Sequence, residues 1–306
     1  MPNANPTKIE TVEGLIQLCW VRVSGYTVLF NFYLLASPDQ VYKMDAATEL
    51  PVIKIINNQV EEVVDSIAVE VAFALVVNGM EVVSFMCTPV DMEAMAVGFL
   101  ISEGMLAGRD SLKSVSVDYQ EYRVSVRIND LPVDWSERLS KKTITSGCGQ
   151  GVTFTHDADL LVYGKIGDSL CVTPEQVKHL LNLFRPISKV FEQTGGVHSA
   201  ALATPKEIVF FAEDIGRHNA VDKLIGRAFL KGIAVRDKIL LSSGRISGEI
   251  MTKVIRSHIP MLITRAAPTC MSINYGEDYD VTLIGFARGN RMNVYTHPRR
   301  VKFPGS

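Results

Sequence analysis

Apolar and polar positions follow two rhythms along this chain, and the change between them divides it. Residues 69–77 and 80–87 are apolar runs rich in β-branched side chains, separated by Asn78-Gly79. Asn-Gly between two such runs predicts a hairpin, because both turn positions tolerate positive φ. Thr88-Pro89 then opens a helix: Thr88 is placed to cap it, Pro89 fits its first turn, and Asp91 suits the positive helix end. Met92, Met95, Ala96, Phe99 and Leu100 carry the i, i+3, i+4, i+7 stripe, and Gly104 ends the helix. Strands at 114–117 and 122–128 complete a small α+β domain, assigned to 52–140 after an extension over 1–51.

From about residue 200 the rhythm shortens. Segments 200–203, 208–212, 238–241, 261–264 and 281–286 read as short apolar strands, with helical patterns at 217–230 and 246–258 between them. A helix over 175–193 leads in. Strands alternating with helices predict an α/β layered domain with a largely covered sheet, assigned to 141–306.

The stretch 15–36 is mostly apolar and about the length of a membrane span, roughly 20 residues. It contains Gln17, Arg22, Ser24, Thr27 and Asn31, and a central Arg is costly in lipid. Lys8 is followed by Glu10 and Glu13, so the basic start of a secretory signal is missing. Alternation around Val21, Val23 and Tyr26 is strand-like. The expectation is a packed extension or an upstream in-frame leader, and no membrane partner.

Composition narrows the function classes. The chain has 306 residues, 47% hydrophobic and 21% charged, which suits a compact globular protein. A net charge of −2 gives no global basic field, so nucleic acid is not an expected partner. The cysteines at 19, 87, 148, 171 and 270 are scattered and odd in number. That pattern argues for a reducing compartment, hence a cytoplasmic location, rather than a disulfide framework.

The chemistry concentrates in two places. Arg217, Arg245, Arg265, Arg288 and Arg291 each fall just past the end of a predicted strand, accompanied by Gly216, Gly244, Gly248 and Gly289. Open α/β sheets bind ligands in the crevice at the carboxyl ends of their strands, and guanidinium forks suit phosphate oxygens. The pattern predicts a phosphorylated ligand, a nucleotide or pyrophosphate. Pairing with Glu213, Asp214, Asp222 and Glu249 explains any one of these arginines, but not five at equivalent places. No P-loop motif is present. The second place is the glycine-rich segment 141–155, where Cys148 stands between Gly147 and Gly149. Glycines leave a thiol exposed among backbone amides that stabilise a thiolate, and Lys141 and Lys142 add positive potential. The other four cysteines sit in or beside apolar stretches. A zinc deaminase needs H-x-E and P-C-x-x-C; His198-Ser-Ala and Pro268-Thr-Cys supply neither, so no structural metal is expected.

Several long motifs, in order, carry a family resemblance. They are Thr194-Gly-Gly-Val-His198, Glu213-Asp-Ile-Gly-Arg-His-Asn-Ala-Val-Asp-Lys223, Ser242-Ser-Gly-Arg-Ile-Ser-Gly-Glu249, Arg265-Ala-Ala-Pro268, Gly285-Phe-Ala-Arg288 and Tyr295-Thr-His-Pro298. Over 69–299 the chain resembles the FdhD family of formate dehydrogenase accessory sulfurtransferases. The resemblance implies a homodimer whose α/β part is a cytidine-deaminase-like three-layer domain without zinc, beside the smaller N-terminal α+β domain. It implies sulfur received from a cysteine desulfurase as a persulfide and passed to a molybdenum or tungsten bis(molybdopterin guanine dinucleotide) cofactor, bound as substrate and destined for formate dehydrogenase. The family's S-G-C-G-x-C-G loop is Ser146-Gly-Cys-Gly-Gln-Gly151 here. The persulfide cysteine therefore maps to Cys148, and Gly151 stands in the second cysteine's place. The family's cofactor segment maps to Phe286, Ala287, Arg288, Gly289, Asn290 and Arg291, where the arginine pattern already points, with Arg217 and Arg245 alongside. Phe286 is the expected stacking or packing surface. Three other readings remain: a non-catalytic cofactor chaperone, a zinc nucleotide deaminase on the same fold, and a structural interaction protein, which leaves the arginines unexplained.

Overall fold

A computed structural model describes residues 44–129, 160–167 and 170–303, with the backbone alone at 16–23, 26–33, 143–144, 152–153 and 157–159. Residues 1–43 and 44–306 form two separate compact units. In the first, β1 (Ile16–Val23) and β2 (Tyr26–Tyr33) pair antiparallel, so the strand-like alternation there is realised as a hairpin.

The second unit opens with a long ribbon, β3 (Ala47–Ile56) and β4 (Gln59–Ala68), which the apolar pattern does not announce. Its turn is Asn57-Asn58, both at positive φ, and most of its side chains face solvent. Next come β5 (Val71–Val77) and β6 (Met80–Cys87), joined by Asn78 and Gly79 at φ 49 and 87 as the hairpin signal requires. Helix α1 (Met92–Ser102) follows, then β7 (Leu112–Asp118) and β8 (Arg123–Ile128). These strands form one sheet in the order β6-β5-β8-β7. Nine of the eleven residues of α1 are buried, so it is covered all round rather than along one stripe. One reason is that Gly98 and Gly226 meet: a methyl at either would overlap the other helix's backbone.

The capping expectation at Thr88 needs correction. Asp91 precedes the helix, at φ 57 and without a side-chain cap, and pairs with Arg227. The Thr88 hydroxyl instead accepts from the Ile215 N–H at 3.2 Å, tying the two layers together.

A minimal pair, β9 (Thr143–Ile144) and β10 (Val152–Thr153), is joined by residues 145–151. Cys148 and Gly151 lie in that connection, outside the described residues. The helix expected over 175–193 is two helices: α2 (Pro174–Phe184), closed into a capping box by Thr173 and Gln176, and α3 (Lys189–Thr194). Pro186 stands between them, and proline cannot donate the hydrogen bond that would continue the first helix.

The largest sheet holds β11 (His198–Ala203), β12 (Ile208–Asp214), β13 (Ile239–Ser242), β14 (Met261–Thr264), β15 (Thr282–Arg288) and β16 (Arg291–Val294). Their spatial order is β12-β11-β13-β14-β15-β16, with β13, β14 and β15 mutually parallel and β11 and β16 antiparallel to their neighbours. Helices α4 (Arg217–Lys231), α5 (Gly248–Arg256) and α6 (Cys270–Asp278) fill the connections. Side chains alternate between two cores. Leu202, Leu240, Leu262 and Leu283 pack with residues of α4 and α5, while Ala201, Leu241, Ile263 and Ile284 pack with residues of α2. The sheet is thus covered on both faces in a mixed α/β architecture. Among the described residues no helix is long and apolar enough to cross a membrane.

Candidate functional site

The sheet's register brings the arginines to one edge. Because β12 and β13 both run opposite to β11, the carboxyl ends of β12, β13, β14 and β15 emerge together with the starts of β11 and β16. Arg217, Arg245, Arg265, Arg288 and Arg291 all sit at or just beyond this edge.

A cleft of about 860 Å³ opens there, within the range of small-molecule sites. One wall comes from the α2–α3 segment, with Arg185, Ser188, Phe191 and Glu192; the other from the strand ends, with Ser243, Arg265 and Arg288. Of the eight cofactor residues expected from sequence, Arg288 lines this cleft. Its Nε donates to the Arg265 carbonyl at 3.0 Å, which anchors the guanidinium and leaves its other nitrogens to the cleft. Gly289, at φ 56, makes the β15–β16 turn, and Asn290 accepts from Lys178 Nζ at 2.7 Å. Ala287 is buried. Phe286 is also at positive φ, and the Arg291 guanidinium lies 5.8 Å from its ring centre, so this ring is engaged outside the cleft wall. Arg245 is exposed, and Arg217 is buried at the start of α4. Both stand on the same edge but do not line the cleft.

His198 connects these groups. It begins β11, lines the cleft, and its Nδ1 lies 3.4 Å from the Ser243 hydroxyl. A methyl on Gly244 would stand 3.1 Å from Arg217 and 3.4 Å from His198, so the missing side chain lets these two approach. Burial pushes the His198 pKa down first, and the charges of Arg217, His218 and Arg245 push it further, against a smaller opposing pull from Asp214. The imidazole is therefore held toward its neutral form, which can exchange a hydrogen bond with a bound anion. His218, also pushed down by burial, stands 3.4 Å from the Glu249 carboxylate.

The cleft wall on α3 is fixed from behind. Glu213 accepts from the Val190 N–H at 3.2 Å and the Phe191 N–H at 3.0 Å. Burial raises its carboxyl pKa, and those two hydrogen bonds pull it back. Sequence reasoning misses Arg185, Phe191 and Glu192. The signal that finds them is Ser188, Phe191, Glu192 and Gly195, one helical face, which becomes legible only when the helix is broken at Pro186.

Comparison with known proteins gives a consistent result. The family model described as the FdhD/NarQ family matches residues 68–302. A protein named Sulfur carrier protein FdhD from Staphylococcus aureus (strain MRSA252) is 33% identical over 257 residues, covering 84% of this chain and 97% of that one. One of the same name from Halalkalibacterium halodurans is 38% identical over 258 residues, covering 83% and 94%. A crystal structure of a candidate formate dehydrogenase accessory protein from Desulfotalea psychrophila shares the fold, at a TM-score of 0.70 and 24% identity. It covers 84% of this chain and 100% of its own.

Proposed function

This chain belongs to the FdhD/NarQ family, and from that premise we propose that it is a sulfur carrier acting in formate dehydrogenase maturation. Its donor is a cysteine desulfurase carrying a persulfide. The Cys148 thiolate attacks the outer sulfur of that persulfide; the donor's sulfur–sulfur bond breaks, and the donor cysteine leaves as thiolate. Cys148 then holds S–SH, with no net oxidation or reduction. The acceptor, as substrate, is the molybdenum or tungsten bis(molybdopterin guanine dinucleotide). Delivering sulfide to it takes two electrons, which a thiol reductant supplies. With glycine at 151, that thiol lies outside the loop.

The observation that carries this reading is the cleft of about 860 Å³ at the strand ends, which Arg185, Arg265 and Arg288 line together with His198. Guanidiniums so placed hold the guanine dinucleotide's pyrophosphates. Arg217, Arg245 and Arg291, with the turn Phe286, Ala287, Gly289 and Asn290, extend the same anionic footprint along the edge. The sheet covered on both faces supports a cytidine-deaminase-like layering, and the dinucleotide pair suits a homodimer working in the cytoplasm.

Mass spectrometry after mixing with the desulfurase and cysteine tests the carrier step: Cys148 gains one sulfur atom, and Cys148→Ser gains none while keeping its fold. Transfer by the serine variant at the native rate would sink the nucleophile. Gly151 favours one other reading, a chaperone that binds and delivers the cofactor without carrying sulfur; cofactor binding with no label on Cys148 identifies it. Arg288→Ala combined with Arg291→Ala weakens GDP binding, and unchanged affinity removes their role.

A further inference from the structure

The α3 wall of the cleft is built to a pattern. Ser188, Phe191, Glu192 and Gly195 occupy i, i+3, i+4 and i+7, and all four line the cleft. Phe191 is 52% exposed on that wall, and its ring makes no aromatic or cation–π contact among the described residues. The exposed Glu192 carboxylate enters no hydrogen bond or ion pair among the described residues. Both sit on a firmly held helix. Glu213 secures its first turn; the Gly195 N–H donates to the Phe191 carbonyl at 2.8 Å, and the Glu192 N–H to the Ser188 carbonyl at 2.9 Å. An aromatic side chain and a carboxylate are thus presented to the cleft from the α3 wall, and Arg265 and Arg288 from the strand ends.

We propose that Phe191 and Glu192 form the guanine-reading end of this cleft. The Phe191 ring stacks on the base, and the Glu192 carboxylate accepts from the base's N1–H and 2-amino group. This rests on reading the cleft as a guanine-nucleotide site. A carboxylate repels phosphate, so it marks the base end, and Arg265 and Arg288 take the phosphates. Guanine presents two adjacent N–H donors on its Watson–Crick edge, which a carboxylate accepts together. Adenine presents an acceptor beside its donor, and hypoxanthine lacks the 2-amino group. Stacking on an aromatic ring is tolerant of the base, so Phe191 contributes affinity and Glu192 selectivity. Phe286, the stacking surface expected from sequence, lies against Arg291 instead.

Equilibrium titration of the full chain with GDP, IDP, ADP and inorganic pyrophosphate separates the parts. The native protein prefers GDP to IDP by about tenfold, the scale of one charge-assisted hydrogen bond. Glu192→Gln brings that preference below about twofold. Phe191→Ala weakens GDP and IDP alike by roughly five- to a hundredfold, and Phe191→Trp restores both. Every variant holds pyrophosphate within about twofold of native, which shows the fold and the cationic end intact. Absence of GDP binding by the native protein overturns the nucleotide reading and this inference with it. Native GDP binding, with affinity unmoved by Phe191→Ala and the GDP preference unmoved by Glu192→Gln, overturns this inference alone.

Discussion

Lys223 and Asp214 stand 2.6 Å apart, with side chains 1% and 0% exposed. Burying two charges is unfavourable unless every polar atom is met, and here each is: Lys223 also donates to the Thr88 carbonyl, and Asp214 accepts from the Thr88, Gly216 and Asn219 nitrogens. Lys223→Ala leaves that carboxylate unpaired, and urea unfolding should show a loss of about 3–5 kcal/mol. The histidines add a pH dependence. Burial holds His198, His218 and His258 below the ordinary histidine value. As pH falls through about 6.5 the unfolded chain takes up protons that the folded protein refuses, so stability drops. Glu213 and Asp222, raised by burial, act in the opposite sense at lower pH. The test therefore compares variants: His218→Gln should show a smaller fall in urea midpoint between pH 7.5 and pH 5.5, both values about one unit from the histidine pKa, than the native protein. An equal fall removes His218 as a contributor. Arginine is legible as a binding residue in sequence because its chemistry is fixed. The depressed histidines are not, because burial by distant segments sets their pKa.

Among the elements, α1 and α4 are joined more closely than any side-chain pattern implies. Gly98 and Gly226 allow backbone to touch backbone, and added methyls would collide with the carbonyls of Asp222 and Ala94. Gly98→Ala should therefore destabilise by about 3 kcal/mol or more in urea unfolding, the upper range for overpacking. A loss under about 0.5 kcal/mol would show that the helices separate freely. The ribbon β3–β4 has the reverse character. Ile53, Ile55, Val60 and Val64 are 58–69% exposed and share one face by register. Ile55→Thr should leave the unfolding free energy within about 0.5 kcal/mol, since nothing is buried there. These two cases mark where sequence reading stops. The Asn78-Gly79 hairpin and the parallel strands carry strong local signals, and their positions hold to within a few residues. The ribbon and the break between α2 and α3 are not legible, because the ribbon's strands bury no face and a proline shifts helical phase without changing composition.

For the whole molecule, Arg265, Arg288 and the α3 wall line one cleft only when the sheet order is in place. A ligand held there stabilises the folded state by mass action, about 2.7 kcal/mol at a hundred times its dissociation constant. GDP should raise the urea midpoint of the native protein accordingly, and Arg288→Ala should reduce the rise. An undiminished rise in that variant places the nucleotide elsewhere. The second layer takes part as well: Thr88, just past the end of β6, holds both Ile215 and Lys223, so unfolding of the four-stranded sheet disturbs the start of α4, where Arg217 stands.

The sequence alone determined the family, the alternating strands and helices, and the five arginines that follow strand ends, because each is written in local order and side-chain chemistry. Only the tertiary structure decided which arginines share a cleft, that Phe191 rather than Phe286 lines it, and that burial lowers the His198 pKa. Those properties depend on strand order, on the break at Pro186 and on burial by residues far away along the chain, none of which a local pattern encodes.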